Sequence, residues 1–444
     1  MKKSPGSERK VVASPEAPDL LTSFLARGEM PDRLQALIEE YITRKVGRHW
    51  DDPVVLGRIQ RAITSQKNIY WQESRPGQIR YERGYDVLAY LAYHVPVYHH
   101  QFCHLTAMLI RLGLLKRDST VVDAGSGPGV TSLALATVCS CISGYDLTVH
   151  ALEVAQEHKE AYEFLVPRYI EGVKGITAAP ILSVDIMDID PGDLPSDVDL
   201  LVLQNVINEW RNLTAGERAD AVLPLTTTLA PRGYVLLVEP ADLSNAVALR
   251  EVSVLLARKG LSTLAPCFSP HGISCDPSAC WSFQDAPPIQ PTRLMTRLSA
   301  SDQGYRFLNT DLKFAWALHH RRESGPQSRR AYPLGTSCGS LKKAVGHRVA
   351  VTAAVLSGNL GSEGEFVVRV CDGSSTLPVF AILPHYHRTH ANLPLIAAQY
   401  GDVVCLDQVL VRFNPRFRSL NLLVNRHSRV TFCERGRLVG ASPC

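Results

Sequence analysis

The sequence predicts a doubly wound α/β sheet, preceded by a helical region and followed by a small β-barrel. Three observations carry that prediction. Apolar residues recur at three and four residue spacing before residue 115, short apolar segments alternate with helical ones from 119 to about 250, and an alternation of period two takes over after His347. With 444 residues and 45% hydrophobic content the chain can bury two or three cores, and 28 Pro and 30 Gly promise long connections between them.

Residues 1–17 open the charged, Pro- and Ser-rich MKKSPGSERKVVASPEAPD and are expected to form a flexible tail. They hold no apolar run of the kind a signal peptide needs, and no window approaches 18 uninterrupted apolar residues. A membrane span is therefore not expected, and the cytoplasm is the expected location. Residues 18–115 read as a helical region, in RLQALIEEYITRK and again in YDVLAYLAYHVPVYHHQFCHLTAMLIRLGLL around Pro96. Residues 116–340 read as the α/β domain, with STVVDAG, CISGYDL, PILSVDI, DVDLLVLQNV and RGYVLLVEP as parallel strands. From 251 to 340 the chain reads as irregular, apart from KFAWALHH, a strand expected to rejoin the sheet. That return makes the Cys-rich stretch at 262–290 an insertion.

Residues 347–438 supply five further strands: HRVAVTAAVLSG, EFVVRVCDG, STLPVFAILP, VVCLDQVLVRF and LNLLVNRHSRVTF. A helical NLPLIAAQYGD lies between the third and fourth, which matches a Greek-key barrel of the OB type. This part holds ten Arg and no Lys against six acidic residues, which accounts for the whole net charge of +4. A polyanion-binding face is therefore expected at the C-terminal end, although such a charge balance also serves solubility alone.

In VVDAGSGPG a strand runs directly into Gly125, Gly127 and Gly129, residues that let the backbone turn tightly and approach a ligand at the start of a helix. Asp123 lies two residues before Gly125, within reach of a cationic amine. Asp146 is expected to end the second strand and accept the ribose hydroxyls, and Asp185 to end the third and receive an adenine amino group. This set suits S-adenosylmethionine better than NAD, because there is an amino acid moiety to hold and no pyrophosphate to cradle. The Lys and Ser/Thr of a Walker loop are missing. The fold class is thus a class I methyltransferase-like doubly wound sheet. In LQNVINEW, Asn205, Asn208 and Glu209 follow the fourth strand at the edge where open α/β sheets bind ligands, placed to contact the methionine part or a methyl acceptor. Capping of the next helix explains Asn208 almost as well.

Cys267, Cys275 and Cys280 are separated by eight and five residues in a Pro-rich stretch, which points to metal ligation. The spacing leaves zinc, an iron–sulfur cluster and unliganded thiols open, with His271, Cys338 and Cys371 as candidates for a fourth ligand. Cys338 lies in GTSCGS, a flexible-looking segment. In VRFNPRFRS, Arg412, Arg416 and Arg418 are the expected grip on RNA, with Phe413 and Phe417 as stacking surfaces unless alternation turns them into the core.

The series VVDAGSGPG, LQNVINEW, VEPADLSN, APCFSPHGISCDPSACWSF and VVRVCDG, over about residues 75 to 375, resembles the Rsm22-like family. The order Cys280–Trp281 and Phe268 depart from that family's pattern. The resemblance implies a methyltransferase domain, association with the small ribosomal subunit, and a [4Fe–4S] cluster on Cys267, Cys275, Cys280 and Cys371, with zinc as the alternative metal. It implies methyl transfer from S-adenosylmethionine to RNA, foremost small-subunit rRNA. The alternatives are a non-catalytic assembly factor that binds the cofactor, or a methyltransferase for a protein or small molecule.

Overall fold

The computed structural model describes residues 17–71, 84–266, 276–300, 304–321, 332–333 and 335–434. The chain opens with five helices, α1 (Ala17–Arg27), α2 (Asp32–Val46), α3 (Pro53–Trp71), α4 (Gly84–Tyr93) and α5 (Val95–Arg111). Leu34, Ile38, Tyr41 and Ile42 make the buried stripe of α2 at helical spacing. Gly47 ends that helix in the left-handed region, its N–H returning to Thr43 O. Pro96 does not interrupt a helix. It stands in the first turn of α5, where no helical N–H is required, and the chain breaks before it at His94.

The α/β part comprises β1 (Asp118–Ala124), α6 (Val130–Cys141), β2 (Asp146–Leu152), α7 (Gln156–Ile170), β3 (Ile176–Ala178), β4 (Val198–Gln204), α8 (Ala215–Leu225) and β5 (Leu229–Pro240). It continues through α9 (Leu243–Arg258), β6 (Leu261–Ala265), β7 (Gln284–Ala286), α10 (Arg293–Leu298) and β8 (Leu312–Arg321). The sheet order is β3-β2-β1-β4-β5-β8-β6, with β7 also on β8. The first five strands are parallel, and β8 returns antiparallel between β5 and β6. This is the class I methyltransferase-like arrangement, and its order reverses between β1 and β4, where open sheets form a ligand crevice. Successive residues of β1 serve opposite cores: Val121 packs with the first, Val122 and Ala124 with the second.

Three strand expectations need correction. CISGYDL is not the second strand, because that strand starts at Asp146 and pairs from Asp118↔Asp146 to Ala124↔Leu152. The register is fixed where the Gly125 and Ser126 N–H groups both donate to Leu152 O, so the strand must still be running there. PILSVDI is not a strand either; the third strand is β3, and only an isolated bridge joins Leu182 to Leu152. Pro180, which has no N–H for a ladder, opens that stretch. Nor is 251–340 irregular throughout, since the end of α9 and all of β6, β7 and α10 fall within it. KFAWALHH does rejoin the sheet as β8, so the Cys-rich stretch is an insertion between β6 and β8.

The C-terminal part folds as β9 (Arg348–Val355), β10 (Glu365–Cys371), β11 (Val379–Pro384), α11 (Pro394–Ala397), β12 (Val403–Asn414), β13 (Ser419–Leu423) and β14 (Arg429–Glu434). The ring β9-β10-β11-β13-β12 closes back on β9, with β11 and β13 parallel, as an OB-like barrel demands. LNLLVNRHSRVTF thus makes two strands instead of one, divided at 425–428 where the Asn425 N–H donates to Ser428 Oγ at 3.0 Å. Only four residues of NLPLIAAQYGD are helical, those of α11. Cys338, expected in a flexible segment, is fully buried in the barrel core, and its N–H donates to Asp372 Oδ2 at 2.8 Å.

Candidate functional site

The carboxyl ends of β1, β2 and β4 enclose a cleft of about 960 Å³, closed on one side by Tyr90 of α4. Its floor is the glycine turn. A Cβ on Gly125 would stand 2.6 Å from Val206 Cγ2, and one on Gly129 2.4 Å from Val166 Cγ2. Both have positive φ, so glycine is required twice over. Gly127, at φ +55, has only His158 within 4 Å of such a Cβ, at 3.7 Å, and borders the cleft.

Polar groups converge on this floor without satisfying one another. Asp123 is buried, with Oδ1 accepting from Thr131 Oγ1 at 3.0 Å and Oδ2 lacking any partner. Burial pushes its carboxyl up to about 7. Asn205, held at φ +57 by its N–H bond to Val238 O, buries both amide atoms unpaired, and Ser126 Oγ is likewise without a partner. Three buried, unsatisfied side chains around one crevice offer hydrogen-bonding groups that a polar ligand can engage. Glu239, at the end of β5, accepts from the N–H groups of Ile207 and Asn208 at 2.8 and 3.2 Å, and burial pushes it up to about 8.

The structure gathers Asp123, Gly125, Gly127, Asp185, Asn205 and Glu209 around the cleft, with Gly129 packing beneath it. Asp185 is exposed at the rim and turns on itself, accepting from the Met187 N–H at 2.9 Å. Asn208 buries an unpartnered Oδ1 behind it and does not cap α8; Thr214 does, in a capping box with Glu217. Asp146 is not part of the site. As the first residue of β2 it lies at the opposite edge of the sheet, about 20 Å along the strand at the usual rise per residue.

The carboxylate that does end β2 is Glu153, which sequence reasoning missed. It is 7% exposed and accepts from the N–H groups of Gly127 at 2.8 Å and Ala155 at 2.7 Å. Burial opposes its charge, but His158 beside it and these two N–H groups hold its carboxyl below the ordinary range. The signal lay in TVHALE, an alternating run that ends in an acid. Tyr90 was also missed, for its helix gives no sign in sequence of facing a distant loop.

Cys280 and Cys371 lie on either side of the seam between the α/β part and the barrel, where Arg369 reaches Trp281. Burial pushes the Cys371 thiol up to about 11, and Cys280 is near enough to add to that shift, while the Gly373 N–H, 3.2 Å from Sγ, opposes it. Two buried arginines pin the segment that carries Cys280. Arg250 of α9 donates to Ser282 Oγ and to Tyr400 OH, both at 2.8 Å, and Arg369 of β10 donates to Trp281 O at 2.6 Å. Cys267, Cys275 and His271 lie outside the described residues. Among the described residues no group of three His, Cys, Asp or Glu is disposed to hold a metal ion.

Arg412, Phe413, Arg416, Phe417 and Arg418 are all exposed, at the end of β12 and in the turn 415–418. Phe413 and Phe417 are 43% and 65% exposed, so alternation does not turn them into the core, and Arg416 stacks on the Phe417 ring at 5.2 Å. Among the described residues no helix is long and apolar enough to cross a membrane.

Residues 339–433 match a family model described as the C-terminal domain of a domain of unknown function, DUF8157. No curated protein matches the chain. Among solved structures it is similar to the YcgJ protein from Bacillus subtilis, at 16% identity over 51% of this chain and 100% of the other, with a TM-score of 0.30. It is similar to a TehB-like S-adenosylmethionine-dependent methyltransferase from Corynebacterium glutamicum, at 16% identity, 52% and 98% coverage and a TM-score of 0.28. It is also similar to an rRNA methylase from Streptococcus thermophilus, at 14% identity, 51% and 94% coverage and a TM-score of 0.27.

Proposed function

We propose that the cleft binds S-adenosylmethionine and that the chain transfers its methyl group to RNA, small-subunit rRNA first. The observation that carries this reading is the set of buried, unpartnered polar atoms on Asp123, Ser126 and Asn205 at the switch point of the sheet. Asp123 and Asn205 would take the amino acid end, Glu153 in place of Asp146 the ribose hydroxyls, and Asp185 the adenine amino group. Gly125 and Gly127 let the backbone lie against the ligand. When bound, the cofactor supplies an electrophilic methyl on sulfur. The chain's part is alignment and exclusion of water, with Tyr90 and Trp210 as aromatic walls, Glu209 beside the entering acceptor and Asn208 behind that lining.

Arg412, Arg416 and Arg418 would grip phosphates while Phe413 and Phe417 stack on bases. Cys267, Cys275, Cys280 and Cys371 would hold a [4Fe–4S] cluster, with zinc as the alternative metal. The fit rests on Cys280 and Cys371, which are distant in sequence yet lie on the two sides of a seam that the Arg369 bond to Trp281 O closes. A metal there would join the insertion to the barrel and contribute folding energy to both.

Incubation of the full chain with methyl-labelled cofactor and small-subunit rRNA tests the reading. Label in RNA is the expected result. Binding without transfer would leave an assembly factor that keeps the pocket, and label in protein or a small molecule would move the substrate class.

A further inference from the structure

The barrel carries a second cluster of rings and arginines at the other end of β13 from the Arg412–Arg418 turn. We propose that this cluster is a second contact for the same RNA, so that one single strand is held at both ends of β13. The proposal rests on the RNA reading of the arginine turn and extends it.

Two loops build the cluster. The first, 385–392, follows β11 and reads HYHRTHAN; the second, 425–428, joins β13 to β14 and reads NRHS. Asn392, fully buried, ties them together. Its Nδ2 donates to His387 O at 2.9 Å and to Asn425 O at 3.1 Å, while its Oδ1 accepts from the Thr389 N–H at 2.8 Å. Val430 N–H donates to Ala391 O and closes the pair. A buried amide thus holds in place two loops whose exposed side chains include Tyr386, Arg388, Arg426 and His427.

Tyr386 is 82% exposed, and its ring lies 4.5 Å from that of His387. The loop thus presents a large ring to water in a fixed place, where a base can stack on it. Arg388 and Arg426 supply charge for phosphates beside it, and the rings of His387 and His427 can stack on bases. The nearby acids are Glu363 and Glu365, which flank Gly364 where its carbonyl accepts the His385 N–H, and Asp407, which faces Arg429 across β12 and β14. Five residues of β13 separate the cluster from the arginine turn, about 17 Å at the usual rise. That span fits the roughly 4–16 nucleotides an OB barrel covers.

Fluorescence anisotropy of the full chain with oligouridines of 3 to 15 nucleotides tests this. Affinity should climb about tenfold or more once one strand reaches both contacts. The variant Tyr386→Ala/Arg388→Ala/Arg426→Ala should lose that climb and bind the longest strand about tenfold more weakly. Tyr386→Phe in otherwise native protein should keep it. A triple variant that binds the longest strand as tightly as the native chain, while Arg412→Ala/Arg416→Ala/Arg418→Ala does not, overturns the second contact and leaves the RNA reading standing. Loss confined to the Tyr386 variant sinks the arginine turn instead, and no binding of any strand by the native chain overturns both.

Discussion

The cleft of the α/β sheet and the ends of the barrel are opposite in charge. Glu153, Glu157, Asp185 and Glu209 line the cleft, no Lys or Arg does so among the described residues, and Glu157 pairs with Lys45 from α2 at 2.9 Å. The barrel presents Arg388, Arg412, Arg416, Arg418 and Arg426 to solvent. The difference separates two tasks on one chain. An acid-lined crevice suits a ligand with a sulfonium and an amine, and it repels phosphate at close range, where salt screens little. A strand held by the barrel would therefore offer the cleft a base and keep its backbone outside.

The comparison breaks most completely if the crevice collapses. Gly129→Val would set a side chain at φ +93 against Val166 and Tyr162, with strain and overpacking together on the order of 3 kcal/mol. A clear drop in melting temperature and loss of cofactor binding are expected; an unchanged melting curve contradicts the packing described. Next in size is the seam between the two regions. Purified without oxygen, Cys371→Ser should lose most of its iron, whereas Cys338→Ser should keep it and only melt earlier, because Cys338 is a core residue of the barrel. Iron retained in the first variant and lost in the second would reverse the ligand assignment.

The barrel side sharpens through salt. Replacing Arg412, Arg416 and Arg418 by Ala should lower the slope of log affinity for single-stranded RNA against log salt by about 2, at roughly 0.7 per phosphate contact, with cofactor affinity unchanged. The cleft side sharpens through pH, with the smallest effect. Asp123 and Glu239 are pushed up to about 7 and about 8 by burial, so the folded chain holds protons that the unfolded chain has released. Their contribution to stability is therefore full below about pH 4 and is lost as pH rises through 7 to 8. A cationic ligand beside Asp123 favours its carboxylate, so cofactor affinity should rise with pH up to about 7 and binding should release protons. Calorimetry in buffers of different ionisation enthalpy reads that release, and Asp123→Asn should abolish most of it.

The fold was legible wherever periodicity was strong, in the helices before β1, in β1, β4 and β5, and in the barrel strands through β12, whereas α10 and the end of α9 read as irregular chain. Periodicity failed where register decides. Nothing local distinguishes CISGYDL from DLTVHAL, but parallel pairing with β1 does, and it moves the carboxylate at the strand end from Asp146 to Glu153. The places of the glycine turn, Asp123 and Asn205 at the cleft were readable because each sits beside a strand end. Tyr90 and the bonds of Arg250 and Arg369 were not, since each depends on long-range packing that leaves no local pattern. The loops pinned by Asn392 escaped for the same reason.

The most direct test of the account is the calorimetric affinity of S-adenosylmethionine for Glu153→Gln and Asp146→Asn side by side. Loss of the buried acceptor at Glu153 should weaken binding by about 1–3 kcal/mol, roughly five- to 150-fold, while Asp146→Asn stays within about twofold of the native chain. Native affinity in Glu153→Gln together with weakened binding in Asp146→Asn would place the ligand at the wrong edge of the sheet and contradict the site.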